Sequence, residues 1–195
     1  MPQKQKNYLI GSVSVLFFAG LSVYLFLYSS PGKLIGWIGV ENAYVLIFVT
    51  AIFGGFTTFN IIPYHLLLIT LASGGLNPFL LGFLAATGVT IGDSTSFFVG
   101  RQGRAMLSER IGKWFAKLNR VALESPNLFM VLCFFYSALM PMSNDFITIP
   151  AGLARLPFWK TMLPLVFGNI VFDISLALLA AHAFDIFKVF ELISF

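Results

Sequence analysis

Three aspartates carry most of the chemistry this sequence could perform. Asp93 and Asp173 lie inside long apolar stretches, and Asp145 closes the polar run Met142-Ser143-Asn144-Asp145. A carboxylate at membrane depth is costly, so it marks proton or cation handling unless a base neutralises it. Asp93 has such a base in reach, since Arg101 follows eight residues later and Arg104 shortly after. Asp93 is therefore read first as an ion pair and Asp173 first as functional. Asp145 has two readings: a cation or proton site beside Asn144, or a turn residue and helix cap. Asn60 and His65 flank Pro63. With Thr57 and Thr58 they can satisfy exposed helix ends, and His65 could instead titrate near neutral pH. Asn169 is expected to bond to a neighbouring helix.

Enzymatic constellations are missing from the sequence. Its two His and one Cys (Cys133) are scattered, without zinc-ligand spacing. Gly92-Asp93-Ser94 is not a G-x-S-x-G elbow, and neither a P-loop nor a dinucleotide fingerprint occurs. The expectation is a protein that is not an enzyme, with no catalytic residue, metal or cofactor.

The elements that must position these residues are set by composition. Of 195 residues, 58% are hydrophobic and 10% charged, with a mean hydropathy of +0.88. A soluble domain carries about 25% charged residues, and a disordered chain needs low hydrophobicity, so both classes are excluded. What remains is an integral membrane protein.

No charge occurs between Asn7 and Gly32 or between Asn42 and Gly92. In the first gap, Leu9 to Tyr28 is long enough for one crossing, read as an uncleaved helix stopped by Pro31-Gly32. The second gap is broken by Gly54-Gly55, Pro63, Gly74-Gly75 and Pro78. A helix between Pro63 and Gly74 reaches only half a bilayer, which is tolerated where protein or a wet cavity satisfies the backbone. A re-entrant hairpin from Asn42 to Gly74 is expected, against the alternative of a full crossing from Ala43 to Ile62 followed by a buried loop. Pro78 to Gly100 reads as a clean crossing. Arg101 to Ser125 reads as an amphipathic helix at the interface, with Arg110, Lys113, Lys117 and Arg120 towards anionic head groups rather than nucleic acid. Asn127 to Met140 is apolar but short, Pro141 to Ile149 polar and irregular, and Trp159 to Phe184 a last crossing. Beyond it lies a helix extension or a greasy tail.

The halves repeat. Pro63 and Gly74 stand eleven residues apart, as do Pro141 and Gly152; Pro78-Phe79 and Pro157-Phe158 follow, then Asp93 and Asp173. Two hairpin-plus-helix units entering from opposite sides form an inverted repeat, as in many transporters. With the N-terminus cytoplasmic, ten of the twelve basic residues fall inside and only Lys33 and Lys188 outside.

The run Gly92-Asp93-Ser94-Thr95-Ser96-Phe97-Phe98-Val99-Gly100-Arg101 resembles the G-D-x-x-x-aromatic-x-x-G-R signature of the DedA/VTT (SNARE-associated Golgi type) membrane proteins. The second unit, with Pro141, Ala151-Gly152 and Pro157-Phe158, resembles that family's second hairpin. The resemblance implies lipid transport: flippases of polyprenyl-phosphate carriers in bacteria, phospholipid scramblases in eukaryotes, many depending on the proton gradient. It also implies acids in the first hairpin and arginines in the second. Here the first hairpin has Asn60 and His65 but no acid, and Ala138 and Asn144 stand where arginines are usual.

The expected fold is an all-α polytopic membrane protein with two inverted re-entrant hairpins, crossing helices and one interfacial amphipathic helix. It forms a single membrane domain: helix 1–32, units 42–100 and 126–184, a basic cytoplasmic segment 101–125 and a tail 185–195. The expected function is a transporter or scramblase of a lipid or amphiphile, with proton coupling an option. The alternatives are a small ion or solute transporter, or a scaffold docking through the basic helix. Pathway candidates are Asn60, His65, Asp93, Asn144, Asp145 and Asp173; head-group contacts are Arg101, Arg104, Lys113 and Lys117. Membrane lipids are the expected partners, with self-association into a homo-oligomer open and nucleic acid excluded. The expected location is a prokaryotic plasma membrane.

Overall fold

The computed structural model describes residues 31–55, 64–102, 120–122, 124–140 and 142–193, and every regular element among them is helical. Seven helices follow one another: α1 (Pro31–Ile38), α2 (Val40–Gly55), α3 (Tyr64–Ser73), α4 (Pro78–Gln102), α5 (Pro126–Leu139), α6 (Asp145–Leu153) and α7 (Phe158–Ile193). The expected helix Leu9–Tyr28, the hairpin residues Asn60, Pro63 and Pro141, and the basic residues Arg104, Lys113 and Lys117 lie outside the described residues.

Long helices α4 and α7 form the axis. They cross antiparallel, because Gly82 lies against Ile174 while Asn169 reaches Thr90 and Asp93. Helix α2 runs beside α4 in the same direction: Gly88 meets Phe48 and Ala51, and Gly92 meets Ile52 and Gly55. It ends level with Asp93, whereas α4 continues to Gln102. Helix α5 packs on α7 as α2 packs on α4, α3 packs on α7, and α6 packs on α4. Each short pair thus lays its first helix on the long helix that follows it and its second helix on the other long helix.

The interior has two apolar cores. One gathers Ile47, Leu68, Leu71, Leu81, Ala85 and Ala177; the other gathers Phe97, Phe129, Cys133, Ala151, Met162 and Leu165. Along α4 and along α7, a buried aspartate separates the residues of one core from those of the other. Outward faces are greasy: Phe83, Ile91, Phe98, Leu132, Phe135, Leu163, Phe167, Val171 and Leu179 are all exposed. So much contiguous apolar surface suits lipid rather than water. Among the described residues, one helix is both long and apolar enough to cross a membrane, over Phe158–Ala183 of α7. Helix α4, at 25 residues, spans roughly 37 Å. It is more polar than the clean crossing expected of it, because Asp93, Ser94, Thr95 and Ser96 sit in its middle.

A repeated backbone pattern joins α3 to α4 and α6 to α7. The bonds Gly74 N–H to Thr70 O, Gly75 N–H to Ala72 O and Leu76 N–H to Leu71 O recur as Ala154 to Pro150, Arg155 to Gly152 and Leu156 to Ala151, each 80 residues on. This register corrects the landmarks read from the sequence. Gly74 corresponds to Ala154 rather than Gly152, and Pro78 to Phe158 rather than Pro157; Asp93 and Asp173 do correspond. Glycine and proline recur in membrane helices for several reasons, so their spacing followed local needs instead of the fold.

At the turn, Gly75 takes φ +95° and its counterpart Arg155 φ +56°. A side chain in this left-handed region costs about 1–2 kcal/mol, and glycine largely avoids that cost. Arg155→Gly is therefore expected to stabilise the folded chain by about 1 kcal/mol in a thermal melt, and Gly75→Ala to destabilise it by a similar amount.

Two further expectations change. Pro31 begins α1, consistent with the fit of proline to a first helical turn, while the helix it was expected to stop lies outside the described residues. Pro141 to Ile149 is not irregular throughout, because α6 starts at Asp145, whose charge suits a helix N-terminus. Past Phe184 the chain continues as helix to Ile193, which selects the extension over the tail.

Candidate functional site

The polar layer is built where α3, α4, α6 and α7 meet. Asp93 projects from the middle of α4 and is buried. Its Oδ2 accepts from Asn144 Nδ2 at 2.7 Å and from Asn169 Nδ2 at 3.2 Å. Asn144 Nδ2 also donates to Asn169 Oδ1 at 2.9 Å, and Asn169 Nδ2 to Thr90 Oγ1 at 3.4 Å. Both amides thus have two acceptors for their NH2 groups. Two charge-assisted bonds on one oxygen hold Asp93 firmly.

Asp173 projects from the middle of α7 and is 0% exposed. Tyr64, the first residue of α3, donates its hydroxyl to Oδ1 at 3.2 Å. Oδ2 has no hydrogen-bond partner among the described residues, nor do the buried hydroxyls of Ser96 and Thr148. Tyr64 and Asn144 are themselves 80 residues apart, so the arrangement is reciprocal: the start of each short second helix bonds to the aspartate of the other half. Asp93 and Asp173 lie within electrostatic reach of each other, and Asp145 within reach of Asp93.

The sequence candidates divide. Asp93, Asn144 and Asp173 come together in the layer, with Asp145 at its edge: half-buried, its backbone N–H donating to Ser143 Oγ. His65 packs its ring on Tyr64 at 3.9 Å between centroids and edge-on to Phe172 at 5.6 Å. Arg101 is exposed at the end of α4, and the described bonds to Asp93 come from the two amides instead; Arg104, the other base considered, lies outside the described residues. Distance along the chain misled here, because eight residues of helix place Arg101 roughly 12 Å further along the axis. Asn144, in the turn that precedes α6, is a buried donor. Asn169 bonds to a neighbouring helix as expected. Tyr64 and Thr90 were not singled out from the sequence; the 80-residue register that pairs Tyr64 with Asn144 is the signal that points to Tyr64.

Helices with greasy outer faces that enclose a carboxylate-bearing polar layer between two apolar cores define a helical membrane protein. The chain belongs to the DedA/VTT family: the family profile described as VTT domain matches residues 43–181. No curated protein and no solved structure matches the chain.

Proposed function

We propose that this protein is a membrane transporter or scramblase that moves a lipid or amphiphilic substrate. In this reading α2–α3 and α5–α6 are re-entrant hairpins from opposite leaflets, and the polar layer is their meeting point near mid-membrane. The observation that carries it is the reciprocal pair of buried bonds, Tyr64 to Asp173 and Asn144 to Asp93. A polar layer at the contact of two related halves is where broken-helix transporters place their substrate site. The short helices also fit: α3 and α6, at 10 and 9 residues, reach roughly 15 Å, half the hydrocarbon thickness. Exposed Trp37 beside Lys33, and exposed Trp159 beside Lys160, suit the two head-group regions.

The test is reconstitution of the full chain in vesicles carrying acyl-labelled phospholipids, read by an impermeant quencher. Labelled lipid from the inner leaflet is expected to become accessible well above the rate of protein-free vesicles, and the Asp93→Asn, Asp173→Asn double variant is expected to lose this gain. Movement no faster than in empty vesicles, with and without a pH gradient, overturns the reading.

A further inference from the structure

We propose that Asp173, with Tyr64 beside it, binds the ammonium group of an amphiphile, so that the substrate is selected by an amine head group rather than by its phosphate. The inference deepens the transport reading and rests on it for the movement of the ligand, though not for its binding.

Charge comes first. The basic residues whose side chains are described, Lys33, Arg101, Arg120, Arg155 and Lys160, are all exposed, and none of them is bonded to the polar layer. Two aspartates are buried there within electrostatic reach of each other, with Asp145 close to one of them. Buried carboxylates with no counter-ion among the described residues are costly, and a proton or a cation beside them relieves the cost. An anionic phosphate entering the same layer would meet these carboxylates instead.

Donors give the same answer. Phosphate is held by arginine forks, lysines or free N–H groups. The Asn144 amide already spends its N–H groups on Asp93 and Asn169, and the Asn169 amide on Asp93 and Thr90. Besides the Ser96 and Thr148 hydroxyls, which can donate or accept, what is left is a carboxylate acceptor: Asp173 Oδ2 is fully buried and has no partner among the described residues, while Tyr64 steadies Oδ1. An ammonium group, with N–H donors and a positive charge, is the complement of that oxygen.

One aromatic side chain is bonded to Asp173, Tyr64 through its hydroxyl, and its ring belongs to a small aromatic group. Tyr64 stacks on His65, and the edge of Phe172, the neighbour of Asp173 in the chain, meets His65. Aromatic faces attract ammonium groups through their quadrupoles, and carboxylate-plus-aromatic sites are a recurrent way to hold them.

Binding and movement are measured separately. In detergent, the full-length protein is melted with dodecylamine or dodecyltrimethylammonium, and with dodecyl phosphate as the anionic control. The cationic amphiphiles are expected to raise the melting temperature and dodecyl phosphate not to. Asp173→Asn is expected to weaken the cationic effect about tenfold or more in midpoint concentration. Asp173→Glu is expected to restore most of it, and Tyr64→Phe, which keeps the ring but frees Oδ1, to give an intermediate loss. These two variants carry the test if Asp173→Asn does not fold. In vesicles, acyl-labelled phosphatidylethanolamine is expected to move faster than phosphatidylglycerol carrying the same label, with the preference lost in Asp173→Asn.

Equal or greater stabilisation by dodecyl phosphate overturns the proposal. So does stabilisation by acid or sodium with no gain from either cationic amphiphile, because the site then neutralises itself with a proton or metal ion. An unchanged cationic effect in both Asp173→Asn and Tyr64→Phe also overturns it. Cationic stabilisation without any lipid movement supports the binding site and counts only against the transport reading.

Discussion

Gly152→Ala is expected to cost the protein about 3 kcal/mol or more, the upper end of what overpacking does. A Cβ at this position of α6 would run into the Phe97 carbonyl oxygen, with the Phe97 carbonyl carbon and the Arg101 nitrogen next in line at 3.0 and 2.9 Å. All three are backbone atoms of α4, so no side chain can swing aside, and the two helices must separate. That separation would pull Asn144, at the start of α6, away from Asp93. The variant is expected to melt well below the wild type in detergent and to elute as a broadened or aggregated species. Gly36→Ala is the control, because a Cβ there meets nothing within 4 Å. In the middle of α1 it is expected to be neutral or stabilising by up to about 1 kcal/mol. Equal melting of Gly152→Ala and Gly36→Ala would mean that α4 and α6 do not pack this closely.

The second large effect is at Asn144. Replacement by Leu keeps the volume and removes two donated bonds, to Asp93 Oδ2 at 2.7 Å and to Asn169 Oδ1 at 2.9 Å. The carboxylate then keeps only the 3.2 Å bond from Asn169 on that oxygen. Removing one partner of a buried charge leaves a desolvated group behind, at a cost of about 3 kcal/mol. The double variant Asn144→Leu with Asp93→Leu removes the charge as well and is expected to recover part of the loss, since replacing both partners by apolar groups is often close to neutral. A melt showing the two losses adding in full, instead of partly cancelling, would show that the residues do not interact.

How far the sequence could be read depends on the kind of information each feature carries. Helical class and lipid exposure are averages over many residues, and 58% hydrophobic composition with long charge-free runs expresses them directly. The G-D-x-x-x-aromatic-x-x-G-R run was likewise legible, since Gly92 and Gly100 are both held against backbone, of α2 and α6. Register was not. The Pro and Gly landmarks suggested the repeat, yet three of the four pairs depart from the 80-residue correspondence of the backbone bonds. Gly152 is a glycine because α4 is close, whereas Gly74, its apparent match, lies in the turn after α3. One residue type served two different constraints.

Partnership was the least legible feature. Asp93 has a basic residue eight positions away in the chain, but its bonds come from residues 51 and 76 positions away. Tyr64 and Asp173 are separated by 109 residues. Composition, charge spacing and motif settled by themselves that the chain is helical, belongs among membrane proteins and carries carboxylates within apolar stretches, because hydrophobicity and helical rise act locally and add along the chain. Which donor meets which carboxylate, that one is clamped by two amides while the other keeps an oxygen without a partner among the described residues, and that Arg101 stays out of the layer were decided only by packing. Those facts depend on four helices converging at one depth, and a linear sequence holds no record of that convergence until the chain has folded.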